Sequence, residues 1–203
     1  MPDIKTIFWD LGGVLLNNAW DHTERDEALQ HFHLDAAEFD ERHQQAVSSF
    51  EKGTMGIDEY LTKTVFYRPR DFSEEVFKEY MFSLSQPNDA ALQLARRIAS
   101  SGEYFMATIN NESRELNLHR IQKFGLRELF RAFFSSCFLG LLKPEESIYR
   151  LALSVTQRLP EECLFIDDRS ANLEPAKKLG MQVIQMKNVG QLQLDLRSMG
   201  ISA

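Results

Sequence analysis

The chain has 203 residues, 43% apolar and 26% charged, which excludes a disordered or fibrous protein and suits one globular domain with a modest insertion. Lys and Arg number 23 against 30 Asp and Glu, a net charge of −7, and with no basic run this excludes a nucleic-acid footprint. No apolar stretch reaches the roughly 18 residues of a membrane span, Met1-Pro2-Asp3-Ile4-Lys5 lacks the layout of a signal peptide, and Cys137 and Cys163 form neither zinc spacing nor a disulfide framework, so a soluble cytoplasmic protein is expected.

The first apolar run, Ile7-Phe8-Trp9, ends in Asp10 and then Gly12-Gly13. Residues from about 17 to 85 break the strand rhythm. Phe39, His43, Ala46, Val47 and Phe50 mark an amphipathic helix, Gly53 to Gly56 a turn, Ile57, Leu61 and Val65 a second helix, and Val76, Phe77 and Tyr80 a third. Behind Asn88-Asp89, a capping pair, Ala91, Leu94, Ala95 and Ile98 repeat the helical spacing. Tyr104 to Ile109 is the second apolar run, ending in Asn110-Asn111, and Phe133-Phe134 is a weaker third. Pro144 suits the first position of a helix carrying Ile148, Leu151, Ala152 and Val155. Cys163 to Ile166 is the fourth run and ends in Asp167-Asp168. Leu173, Ala176 and Leu179 lead to Gly180, which fits the position just past a helix end, and Val183-Ile184 completes the series.

Near-continuous apolar runs with polar carboxyl ends are what a parallel sheet buried on both faces requires, and the alternation with helices implies right-handed crossovers. The expected fold is α/β: a Rossmann-like, doubly wound parallel sheet built from residues 1–16 and 86–203, with a small α-helical cap domain inserted over 17–85. In such a sheet, ligands bind beyond the carboxyl ends of the strands. The polar residues at those ends are Asp10, Thr108, Asn110, Asn111, Asp167 and Asp168, with Lys143 just ahead of a helix. Three carboxylates and one amine in a single crevice call for a cation, and Mg²⁺, which takes a few carboxylates plus substrate phosphate and water, fits that set. No Walker loop and no GxGxxG is present to cradle a nucleotide.

Asp10-Leu11-Gly12-Gly13-Val14, Lys143-Pro144-Glu145, and Phe165-Ile166-Asp167-Asp168 followed by Asn172 together resemble the haloacid dehalogenase superfamily. More narrowly they are similar to its bacterial sugar-phosphate phosphatases and to the N-terminal phosphatase domain of soluble epoxide hydrolase. Phe50-Glu51-Lys52-Gly53 through Glu59-Tyr60-Leu61 resembles the helical cap of that group. The resemblance implies that Asp10 attacks phosphorus and forms an aspartyl-phosphate. It implies Mg²⁺ on Asp10, the Gly12 carbonyl and Asp168, with Asp167 beside it orienting metal water or Lys143. It also implies that Lys143 pairs with Asp10 and a phosphoryl oxygen.

Two positions depart from the family pattern. The second Asp expected two residues after the nucleophile is Gly12, and loss of a general acid–base costs roughly 10²–10⁴-fold. Three routes are open: a leaving group needing little help, such as that of an anomeric sugar phosphate; another residue in the role; or lost turnover. Asp21 and His22 are the substitutes at the substrate pocket, against the plainer reading of a helix-capping Asp and an exposed His. At the end of the second strand a hydroxyl is expected where Ala107-Thr108-Ile109-Asn110-Asn111 stands. Thr108 and Asn110 share one face of a strand, and Asn110 is favoured over Thr108 as the phosphate contact, with Asn111 its neighbour.

Alone, Asp167-Asp168 would read as a helix cap and Lys143 as a surface residue; with Asp10 in one architecture they read as a site. Asn172 is expected to order the loop after Asp168. His43 reads as a packed histidine, Trp20, Phe50 and Tyr60 as cap core, with a cap aromatic lining the substrate pocket as the alternative, and both cysteines as inert thiols. The expectation is a Mg²⁺-dependent phosphatase for a small phosphorylated metabolite such as a sugar phosphate, monomeric or homodimeric, without nucleic-acid or membrane partners. The alternatives are a haloacid dehalogenase acting on carbon without Mg²⁺ and a non-catalytic phosphate-binding protein on the same fold.

Overall fold

The apolar runs become five parallel strands: β1 (Thr6–Trp9), β2 (Phe105–Asn110), β3 (Ala132–Ser135), β4 (Cys163–Asp167) and β5 (Gln182–Gln185), ordered β3-β2-β1-β4-β5. The computed structural model describes residues 3–202, so Met1 and Pro2, on which part of the leader reading rests, lie outside the described residues, as does Ala203. Among the described residues no helix is long and apolar enough to cross a membrane.

Ten α-helices are described: α1 (His22–His31), α2 (Ala36–Glu51), α3 (Ile57–Thr64), α4 (Glu74–Ser83), α5 (Asp89–Ser101), α6 (Arg114–Lys123), α7 (Ser136–Leu139), α8 (Glu146–Thr156), α9 (Ser170–Lys178) and α10 (Val189–Ser198). Period-two alternation sends the two sides of each strand into different cores. Ile7, Trp9, Met106, Leu164 and Ile166 pack with α5 and α10 residues on one face. Phe8, Ala107, Ile109 and Phe165 pack with α8 and α9 on the other. Burial on both faces explains why β1 and β4 read as unbroken apolar runs.

Helices α1 to α4 close on a cluster of their own, centred on Trp20, Phe39, Phe50, Tyr60, Leu61, Phe77 and Met81, to which α6 contributes Leu116. Several expectations need correction here. Helix α1 has no apolar stripe to announce it, since only Ala28 and Leu29 of its ten residues are buried, and the plainer reading of Asp21 as a helix cap is its one sequence signal. Helix α8 starts at Glu146 with Glu145 as its cap, so Pro144 precedes it rather than opening it. Val76 and Val155 are 50% and 60% exposed, which narrows the apolar faces of α4 and α8. Gly180, at φ +98°, does follow the C-cap residue of α9, Leu179, in the left-handed conformation that favours glycine.

Candidate active site

The register sets the site. Trp9 is paired with Ile166 on one side and with Thr108 on the other, so Asp10 and Asp167 lie one residue past the same rung of the sheet. This is the crevice at the carboxyl ends where the strand order reverses. Asp10 Oδ1 accepts from its neighbour's amide, Leu11 N, at 2.8 Å, and from Lys143 Nζ at 2.8 Å. The same ammonium lies 2.7 Å from Asp167 Oδ2. Lys143 is positioned by Asn111, which accepts from the Lys143 amide at 2.8 Å and donates to its carbonyl at 2.9 Å. Asp167 is further held by the Arg169 amide at 2.8 Å and by Asn172 Nδ2 at 3.0 and 3.1 Å. Tyr149 in turn donates its hydroxyl to the Asn172 carbonyl at 2.7 Å.

Burial and the opposing charges compete at this site. Burial pushes the Asp10 carboxyl up to about 7, against the pull of Lys143. It works to lower the Lys143 ammonium, but Asp10 and Asp167 outweigh it and hold the group above the usual lysine range. Burial and the Asp167 charge together raise Asp168.

Oxygens of Asp10, Asp167 and Asp168 lie within 4.8 Å of one another, close enough to share a metal ion. Among them the buried Asp168 Oδ1 has no hydrogen-bond partner among the described residues, whereas both oxygens of Asp167 are engaged. Asp168 packs tightly on Gly13: a Cβ there would lie 2.3 Å from Asp168 Oδ2, and Gly13 has φ +70°. An orphaned carboxylate oxygen beside two further carboxylates fits a hard, oxygen-ligated cation such as Mg²⁺.

Above these residues is a cavity of ≈ 350 Å³. Asp10, Gly12, Asn111, Lys143 and Asp21 line it, as the sequence reading expects. Asp21 caps α1, accepting from the His22 amide at 2.8 Å, and is ion-paired with Arg169. Burial opposes its ionisation, but the His22 amide and Arg169 outweigh that and hold its carboxyl below the usual range. It is therefore an anion at neutral pH, not a proton donor. His22 does not line the cavity: its ring is 75% exposed and bonded to Asp26 at 2.9 Å. Thr108 and Asn110 do not line it either. The Asn110 carboxamide accepts from Thr108 Oγ1 and Ser135 Oγ and donates to Asn117, a buried network that turns both residues away from the crevice. Of the polar residues at the end of β2, it is Asn111, one residue beyond the strand, that faces the cavity.

Sequence reasoning missed much of the rest of the wall. Arg25 comes from the start of α1, Glu51 from the end of α2, and Glu112 and Arg120 from around α6. Arg120 and Glu112 form a buried ion pair at 2.8 Å, with Arg120 also donating to the Asn17 carbonyl. His43 is packed as expected, bonded to Tyr60 Oη at 2.7 Å, and burial lowers it to about 4. It also reaches the cavity wall, as do Trp20 and Phe50. Both thiols are buried and raised by burial to about 12, as inert groups should be.

The fold and this constellation define a hydrolase class. A haloacid dehalogenase-like hydrolase family model matches residues 4–180, and the chain belongs to that family. It is 29% identical over 161 residues to flavin mononucleotide hydrolase 1 of Arabidopsis thaliana, covering 79% of this chain but only 64% of the plant protein. It is 25% identical to D-ribitol-5-phosphate phosphatase of Bacteroides thetaiotaomicron over 91% of this chain and 93% of that one. A haloacid dehalogenase family enzyme from the same bacterium, solved as its magnesium complex, superposes with a TM-score of 0.78 at 22% identity, over 91% of this chain and 94% of that one.

Proposed function

We propose that the chain is a Mg²⁺-dependent phosphatase of small phosphorylated metabolites, of the sugar- or polyol-phosphate class. The observation that carries the reading is Lys143 Nζ, at 2.8 Å from Asp10 and 2.7 Å from Asp167, beside an Asp168 oxygen with no partner among the described residues. Residues 17–85 act as the cap and residues 1–16 and 86–203 as the catalytic core, in a cytoplasmic monomer or homodimer. The two relatives support the substrate class, since flavin mononucleotide and D-ribitol-5-phosphate both carry a phosphate on a ribityl chain.

Asp10 is the nucleophile. Lys143 neutralises one of its oxygens while leaving the other free, and reaches the phosphoryl group from the same ammonium. Asp10, the Gly12 carbonyl and Asp168 would hold Mg²⁺, which brings nucleophile and phosphate together despite their like charge. Asp167 keeps Lys143 in place, and Asn172 keeps Asp167. Asn111 fixes the backbone from which Lys143 projects. The cap wall excludes water and selects the substrate.

Phosphate release from sugar and polyol phosphates, with Mg²⁺ and with EDTA, tests this reading for wild type and Asp10→Asn. Mg²⁺-dependent turnover abolished by the substitution is expected. Wild-type turnover by Asp10→Asn would remove the nucleophile assignment. Metal-independent halide release from a 2-haloacid, without phosphatase activity, would replace the reading with the dehalogenase one.

A further inference from the structure

Gly12 leaves this phosphatase, if the preceding reading holds, without the usual side chain to protonate the leaving oxygen. The space beside it is taken: a Cβ on Gly12 would lie 2.9 Å from Asn18 Oδ1. A carboxamide does not exchange protons at neutral pH, so Asn18 cannot fill the role. A proton donor has to come from elsewhere on the cavity wall.

We propose that Glu51 is the general acid and base of this reaction. It is the last residue of α2 and lines the same cavity as Asp10 and Lys143. Its backbone is fixed to the core. Ser136 Oγ donates to the Glu51 carbonyl at 2.7 Å, and Gly53, two residues on, sits so close to α7 that a Cβ would lie 2.1 Å from the Cys137 carbonyl oxygen. Its carboxyl group is free: it makes no hydrogen bond or ion pair among the described residues, while the adjacent Lys52 is drawn away to Glu145 at 3.2 Å.

The other acids on this wall are excluded. Asp21 is paired with Arg169, and Glu112 with Arg120. His43 is tied to Tyr60 and lowered by burial to about 4.

The charged groups facing Glu51 are Glu112 ahead of α6, Arg169 ahead of α9, and Asp21 and Arg25 at the start of α1. Asp10, Lys143 and Arg120 lie on the same cavity wall. Burial, reinforced by Glu112, pushes Glu51 up to about 7, so acid and conjugate base are both populated at neutral pH. In the first half-reaction an Asp10 oxygen bonds to phosphorus, the bond from phosphorus to the ester oxygen breaks, and that oxygen takes the Glu51 proton. In the second, water gives a proton to the Glu51 carboxylate as its oxygen bonds to phosphorus. The bond to Asp10 then breaks, restoring the Asp10 carboxylate and releasing phosphate.

The test compares wild type, Glu51→Gln and Glu51→Asp, as full chains with Mg²⁺, on an alkyl phosphate (D-ribitol-5-phosphate) and on p-nitrophenyl phosphate, whose phenolate departs without a proton. Glu51→Gln is expected to lower kcat on the alkyl ester by about 100-fold or more, with a loss at least about tenfold smaller on the aryl ester. The alkaline limb of the alkyl-ester profile should disappear in Glu51→Gln and persist in Glu51→Asp. In an Asp10→Asn background, which removes the other carboxyl pushed up to about 7, a carboxyl infrared band titrating near pH 7 should be present with Glu51 and lost in Glu51→Gln, independently of turnover. Equal losses on both esters, no loss on the alkyl ester, or a retained alkaline limb in Glu51→Gln overturns the proposal and leaves the phosphatase reading standing. Wild type that hydrolyses neither ester removes that reading, and this proposal with it.

Discussion

The floor and the roof of the cavity are built by opposite means. The floor is electrostatic and long-range: Asp10, Lys143 and Asp167 come from three distant parts of the chain, are nearly fully buried, and spend most of their polar atoms on one another. The roof is hydrophobic and local: α1 to α4 pack Trp20, Phe39, Phe50, Tyr60 and Phe77 edge-to-face and stacked, and apart from His43 in the middle of α2 its polar groups reach the cavity at or near helix ends. Where charged residues of the roof meet the core, as in Asp21 with Arg169 and Lys52 with Glu145, the pairs are partly exposed. Such pairs contribute little, about 0–1 kcal/mol each. The floor is therefore a rigid charge device that tolerates no missing member. The roof is a packed lid whose ion pairs to the core are weak, and substrate choice can change there without disturbing the chemistry below.

The largest expected effect comes from removing the one cation of the floor. Lys143→Met leaves Asp10 and Asp167 buried without their shared partner, and loss of one member of a buried pair typically costs about 3–5 kcal/mol. Turnover should vanish with it. The cost should depend on pH in a definite direction. Burial already raises Asp10 from 3.8 to about 7 with Lys143 present, so across that window the folded state binds more protons than the unfolded state, and stability falls as pH rises. Without Lys143 the carboxyl moves higher still. Urea unfolding should thus show the full loss near pH 8 and a smaller one near pH 5, where Asp10 is protonated. Equal losses at both pH values would mean that Lys143 acts by packing, and the contrast between floor and roof would fail.

A smaller effect separates the metal corner from the rest of the floor. Gly13→Ala forces a Cβ into the Asp168 carboxylate, where it would lie 2.3 Å from Oδ2, at a φ of +70° that an L-residue adopts only under strain. The displaced carboxylate should weaken Mg²⁺ binding by roughly 10–100-fold, as loss of a supporting contact around a metal ligand does. Calorimetric titration of Mg²⁺ measures this directly. Unchanged affinity would take Asp168 out of the metal set.

The same contrast explains what could be read from the sequence. The floor was legible because each of its residues ends an apolar run or sits beside a helix start, and Asp10, Lys143 and Asp167-Asp168 stand in that order. The end of β2 was not. Asn110 looks like a ligand until Asn117 and Ser135, seven and 25 residues away, are seen to satisfy its carboxamide. Asn111 carries the same side chain, and only the fold distinguishes the fully buried one from the half-buried one that reaches the cavity. The roof was legible where a helix had an apolar stripe, as in α2, and illegible in α1, which buries two residues of ten. Glu51 gave no signal because its meaning depends on a cavity closed by residues up to 121 positions further on, the most distant being Asn172.

The smallest expected effect is a test of the roof. His22 stands next to a cavity residue in sequence and carries the side chain best suited to proton transfer at neutral pH. Its ring nevertheless lies in solvent, 75% exposed, with Asp26 one helical turn away as its partner at 2.9 Å. A helical pair of this kind contributes about 0.3–0.5 kcal/mol. His22→Ala should therefore change stability by no more than about 0.5 kcal/mol and leave kcat and KM for phosphate esters at wild-type values. Asp21 provides the internal control, since its carboxylate caps α1 and binds Arg169 at the cavity rim. If kcat falls in His22→Ala while the melting temperature holds, the first turn of α1 unwinds to carry His22 over the crevice during turnover. The roof would then take part in the chemistry that the geometry assigns to the floor and to Glu51.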